Sequence, residues 1–123
     1  MDLWFTPSEN SQVHLESLSF EGFVEFDIAT KTQIKQGQWG DYVRGAKYAL
    51  SKQFNLKYGI NGVLQGSLPV GGISSSAAVL IAYVMAFAKA NGISLKPFEV
   101  VLIASEAERE YIGLNNGFRH VLL

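Results

Sequence analysis

The longest apolar stretch of the chain, Ala77–Ala90, is broken only by Lys89. It is too short to span a bilayer and too apolar to lie on a surface, so it reads as a helix buried inside a fold. Such a helix must be enclosed by other elements, and the remaining sequence has to supply them. A chain of 123 residues has room for one domain. Its 48% hydrophobic and 17% charged residues suit a packed core rather than disorder.

The enclosing elements can be read from hydrophobic period. Val13, Leu15, Leu18 and Phe20 alternate, with a slip near Ser17, and Phe23, Val24, Phe26 and Ile28 follow Gly22. These predict two strands or one bent strand. Between Trp39 and Phe54 the period becomes helical: Trp39, Tyr42, Val43, Ala46, Tyr48, Ala49 and Leu50 share a face, and Asn55 and Gly59 mark the stop. Gly59–Leu68 reads as a strand, with Gly62 and Gly66 marking twist or close approach. After the apolar helix, Asn91-Gly92 gives a C-cap. Ser94 is the expected cap of a last helix, with Pro97 in its first turn and Phe98, Val101, Leu102, Ala104 and Ser105 inward. No internal repeat is visible. The pattern gives one α+β unit of roughly four strands and three helices, without the alternation of a doubly wound sheet.

A formal net charge of −1 gives no reason to expect nucleic acid or an anionic membrane as partner, so any phosphate binding must come from local geometry. Without cysteine there is no disulfide framework and no thiolate metal site. The N-terminal residues lack the basic and apolar regions of a signal peptide, and a soluble, cytoplasmic protein is the expectation.

The segment most suggestive of chemistry is Pro69-Val70-Gly71-Gly72-Ile73-Ser74-Ser75-Ser76, which runs straight into Ala77 and the apolar helix. Two glycines allow a ligand close to the backbone. Three serines then stand where the first helical N–H groups lack intrahelical partners, and the helix dipole adds positive potential. Serine hydroxyls there can bind phosphate oxygens or ligate Mg²⁺. The same residues also suit a purely structural role, Ser74 as N-cap and the glycines as a turn. No lysine follows the glycines, so this is not a Walker P-loop.

The run from Pro69 to Ala78 resembles the second motif of the GHMP small-molecule kinases, a proline, glycines, an aliphatic residue and then Ser-Ser-Ser-Ala. Trp39-Gly40-Asp41-Tyr42-Val43-Arg44-Gly45, and Ala104, Glu106 and Gly113 further on, resemble the galactokinase branch. The likeness covers roughly residues 25–117. It implies a ribosomal-protein-S5-domain-2-like α+β fold, with a small mixed or antiparallel sheet, about three helices and a left-handed strand–helix–strand crossover. It implies ATP and Mg²⁺ as cofactors, with Pro69, Gly71, Gly72, Ser74, Ser75, Ser76 and Ala77 around the nucleotide. Ser75, Ser76 and Glu106 are its implied metal-binding residues.

The sequence also departs from that pattern. The loop is one residue shorter than the usual galactokinase form. Nothing in Met1–Leu18 resembles the family's sugar motif with its catalytic arginine, and the third glycine-rich motif would lie beyond Leu123. Where an Asp-Gln pair is expected stand His120 and Val121, and residues 118–123 look atypical, as in a chain cut short or read out of frame. His120 could act as a base or simply be a frayed terminal residue. No catalytic residue is assigned. Asp41 and Arg44 read as a surface pair, Glu106 and Glu110 as a solvated face or paired carboxylates, and His14 as a strand residue without a partner signal.

Residues 1–123 are therefore expected to be a partial N-terminal, ATP-binding domain of a galactokinase-like sugar kinase, inactive alone. The alternative is a non-catalytic module that binds nucleotide or sugar, or a small interaction domain. Expected partners are a nucleotide and a monosaccharide, and exposed sheet edges invite self-association.

Overall fold

The computed structural model describes residues 2–19, 22–30, 34–66 and 73–113, with side chains from residue 77 onward in the last stretch. The elements are β1 (Asp2–Pro7), β2 (Gln12–Ser17), β3 (Phe23–Asp27), α1 (Gly40–Ser51), β4 (Ile60–Gln65), α2 (Ile73–Ala90) and α3 (Pro97–Glu110). The strands form one sheet in the order β1-β4-β2-β3. Its outer pairs are antiparallel and the central β2–β4 pair is parallel, which makes the sheet mixed. This is the expected α+β arrangement. Strand β1 was not foreseen; Leu3 and Phe5 alternate correctly, but the large apolar Trp4 between them points out and is exposed.

One face of the sheet carries Val13, Leu15, Val24, Ile60 and Leu64, all buried. Two glycines of the β4 region are required by close approach. A Cβ on Gly62 would lie 2.4 Å from the Trp4 carbonyl oxygen, and one on Gly59 would lie 2.0 Å from that of Gln12. The opposite face is open. There His14 pairs across to Glu25, and its ring contacts Glu25 Oε2 (3.0 Å), Glu16 Oε2 (3.1 Å) and the stacked Phe23.

The three helices cover the apolar face. Helix α2 is the buried helix expected from its composition: Leu80, Tyr83, Val84 and Phe87 are inaccessible, and it packs on α1, α3, β1 and β4. Burying each such side chain contributes about 1.5–3 kcal/mol. No helix among the described residues is long and apolar enough to cross a membrane. Gly92 ends α2 in the left-handed region, φ +68°, with Ile93 N–H bonded to Ala88 O. Asn91 does more than stop the helix. Its Oδ1 accepts from the N–H groups of Lys57 and Tyr58, and its Nδ2 donates to Tyr58 O and Phe87 O, all within 2.9 Å.

Two expectations for α3 need correction. Ser94 does not cap it; Lys96 is the N-cap, and its N–H is bound by Glu99 Oε1 at 2.8 Å. The buried face is Val100, Ile103, Ala104 and Ala107, while Phe98, Val101, Leu102 and Ser105 are exposed. Helix α1 ends at Ser51, a few residues earlier than the pattern suggested.

Asn91→Ala should lower stability by about 1–3 kcal/mol, because it strips partners from three backbone groups of the α1–β4 connection. Urea denaturation reads this directly; a change within about 0.5 kcal/mol would mean that water replaces the carboxamide at no cost. The carboxylates of Glu16 and Glu25 raise the pKa of His14. Its stabilising contribution is therefore fully present below about pH 6.5 and lost as pH rises through the raised folded-state value. Unfolding free energies measured across that window should fall with pH, and His14→Gln should flatten this component.

Candidate functional site

Helix α2 begins at Ile73, so Ser74, Ser75 and Ser76 all fall in its first turn. The N–H groups of that turn have no intrahelical acceptor and carry the positive end of the dipole, the arrangement that holds an anion without net charge. Ala77, at the end of the turn, is half-buried. Pro69, Gly71 and Gly72 lie outside the described residues, as do His120 and the segment 118–123. The chain reaches this region from β4, whose end is held by Leu18 N–H to Leu64 O (2.9 Å) and Gly66 N–H to Ser19 Oγ (3.0 Å).

The neighbouring helices converge here by topology. Helix α3 returns from α2 across a short connection, so its C-terminal end comes back alongside the N-terminal half of α2. Helix α1 runs antiparallel to α3: Gly45 sits against Tyr111, Tyr48 meets Glu110, and Lys52 meets Glu106. The start of α1 thus lies beside the end of α3.

At that start, Asp41 and Arg44 overturn the surface-pair expectation. Their side chains are only 5% and 9% exposed, with Arg44 Nη1 3.3 Å from Asp41 Oδ1. Asp41 also accepts the N–H groups of Gln36 (2.8 Å) and Gly37 (2.7 Å), so it organises the chain entering α1. Arg44 lies over the Phe26 ring at 5.8 Å. Gly40 is required here, since its Cβ would fall 2.8 Å from Arg44 Nη1 and 2.6 Å from Val24. Burial, with Asp41 nearby, pushes the Tyr111 phenol up to about 12.

Glu106 and Glu110 face α1 rather than open solvent. Glu110 Oε1 accepts from Lys52 Nζ (2.6 Å) and Tyr48 OH (3.0 Å), and these bonds hold its carboxyl below the usual range. Glu106 Oε2 stands 3.6 Å from the same lysine, and its Oε1 is buried with no hydrogen-bond partner among the described residues. Tyr48 and Lys52 on α1, and Glu106 and Glu110 on α3, are each spaced i, i+4. That spacing lets the two helices meet along matching faces, but it does not by itself say which helix partners which. Among the described residues no cluster of three or more His, Asp or Glu could hold a metal by itself. Glu106 is a single carboxylate with one uncommitted oxygen, so a cation bound to it would need further oxygen donors, a set that suits Mg²⁺.

A second concavity, an apolar groove of about 520 Å³, is lined by Leu3, Phe5, Met85, Ile93, Leu95 and Val100. It lies along the C-terminal half of α2, away from the serines, and Lys89 is the one charged residue of its lining.

Asp41→Ala should cost about 3–5 kcal/mol, since it leaves a buried guanidinium and two amides unpaired. Adding Arg44→Met should recover part of the loss in chemical denaturation. Additive effects would show that the pair is not coupled.

Residues 41–121 match the family model of the GHMP kinases N terminal domain. The galacturonokinase of Arabidopsis thaliana is 41% identical over 94% of this chain and 32% of its own length. The galactokinase of Clostridium perfringens is 33% identical over 82% of this chain and 27% of its own. Among solved structures, Lactococcus lactis galactokinase complexed with galactose superposes with a TM-score of 0.80 at 25% identity, over 92% of this chain and 30% of that one. The chain thus spans about a third of the length of these relatives.

Proposed function

The chain belongs to the GHMP kinases, and on that premise we propose that it is the N-terminal, ATP-binding part of a galactokinase-like sugar kinase. The observation that carries this reading is the start of α2 at Ile73, directly after the glycine pair and with three serines in its first turn. In the proposed site Pro69, Gly71 and Gly72 bring the backbone against the nucleotide. The first N–H groups of α2 and the hydroxyls of Ser74, Ser75 and Ser76 hold its phosphate oxygens, and Ala77 leaves the turn uncrowded. Ser75, Ser76 and Glu106 would hold Mg²⁺, which when bound neutralises charge on the phosphates.

Phosphoryl transfer is mainly a matter of positioning and electrostatics, and the phosphate cradle is one part of what it requires. The acceptor would be a sugar hydroxyl; galactose and galacturonate are the two to try, from the names of the relatives. The 123 residues alone are expected to bind nucleotide without turning it over, since the matched relatives are about three times longer.

Calorimetric titration of Mg·ATP into the chain, compared with a Ser75→Ala, Ser76→Ala double variant, tests this. Saturable binding that the variant loses is the expected outcome. Absence of binding at millimolar ATP, or equal binding by the variant, would reduce the loop to a helix start and favour an interaction domain.

A further inference from the structure

We propose that the cleft at the C-terminal end of α1 is a second binding site, taking a small organic anion, a carboxylate or phosphate monoester, seated over Lys47. The cleft measures about 620 Å³, within the range of small-molecule sites. Ile28, Phe54 and Leu56 form apolar walls, and Gln53 and Asn55 supply amides at its exposed rim.

Lys47 is what gives the cleft a chemistry. Its side chain lies in the interior, with the residue only 3% exposed. Its Nζ donates to Thr30 O at 2.9 Å, one bond for a group with three donors. Among the described residues no carboxylate lies within ion-pair distance of it. Asp27 acts on it only at longer range, and the Asp27 oxygens are engaged by Gln12 Nε2 (3.1 Å) and Ala29 N–H (2.8 Å). Burial accordingly holds the Lys47 ammonium below the usual lysine range. The other lining lysine, Lys52, is already paired with Glu106 and Glu110. An anion entering the cleft would complete the ion pair that Lys47 lacks, in surroundings where apolar walls strengthen the attraction. A single ammonium is a point charge that serves carboxylate and phosphate alike.

A helix C-terminus usually repels anions, but here three of its last carbonyls are already covered. Tyr48 O takes Ser51 Oγ, Ala49 O takes Lys52 N–H, and Leu50 O takes the N–H groups of Lys52, Gln53 and Phe54. The site is also distinct from the phosphate loop. The cleft lies where α1 leads into the start of β4, whereas α2 follows its far end, a strand of about 20 Å away. The inference does not depend on the kinase reading.

The experiment uses the Ser75→Ala, Ser76→Ala chain, so that the loop does not compete. Acetate and, separately, inorganic phosphate are titrated into ¹⁵N-labelled protein while the amides of Gln53, Phe54, Asn55 and Leu56 are followed. Saturable shifts there are expected, weakened at least about tenfold by Lys47→Met and blocked by Gln53→Trp, which closes the mouth from an exposed position. Response to one ion or both identifies the anion class. Shifts reproduced by equal sodium chloride, shifts confined to the start of α2, or shifts unchanged by Gln53→Trp would each overturn the proposal. If Lys47→Met does not fold, Gln53→Trp alone decides it.

Discussion

The burial of α2 is the constraint on which the rest of this structure depends. Leu80, Tyr83, Val84 and Phe87 are enclosed between the sheet and the two other helices, so the axis of α2 cannot shift without opening the core. A helix of this kind is close-packed and rigid along its length. Its far end is locked as well, through the carboxamide of Asn91 and the left-handed Gly92. Once packing fixes the axis, the position of the helix start is fixed too. The anion-attracting end of α2 is thus placed by hydrophobic forces that have nothing to do with anions. The phosphate site proposed above therefore needs no net positive charge on the chain.

Helix α1 solves a different problem, holding irregular backbone against the core. It does so with buried charge. Asp41 gathers the N–H groups of Gln36 and Gly37, Arg44 reaches Phe26 of β3, and Lys47 takes the carbonyl of Thr30. Apolar residues of similar volume could give equal or greater stability at such positions. They could not bind backbone N–H and C=O groups, and a buried connection that leaves those groups unpaired is costly. Asp41, Arg44 and Lys47 therefore define the path between β3 and α1 rather than simply adding to stability.

Much of this was legible in the sequence where one physical rule dominated. The apolar run Ala77–Ala90 had one destination, and Asn91-Gly92 had one reading. The rest failed where rules competed. Strand β1 was hidden because Trp4, on the open face, breaks the contrast that reveals alternation. Asp41 and Arg44 read as a surface pair because charge implies exposure, a rule that holds only on average. In α3, Val100, Ile103, Ala104 and Ala107 lie on one side and Phe98, Val101 and Leu102 on another. A helix apolar on both sides gives periodicity no means of choosing which faces the core. Of the candidate site, the backbone part could be read because a helix start is a local matter. The partners of Glu106 lie on a helix more than fifty residues away, and no local pattern states which helix that will be.

The geometry separates two carboxylates that spacing treats as equivalent. Glu110 holds Lys52 at 2.6 Å and Tyr48 at 3.0 Å, and those bonds depress its pKa, so moving it would cost two partners. Glu106 stands at 3.6 Å from the same lysine and keeps a buried oxygen without a hydrogen bond among the described residues. Lys52 is thus neutralised mainly by Glu110, and Glu106 is the carboxylate that can turn to a new cation with little to lose. One glutamate ties α1 to α3 and neutralises the lysine between them, and the other keeps an oxygen uncommitted to either helix.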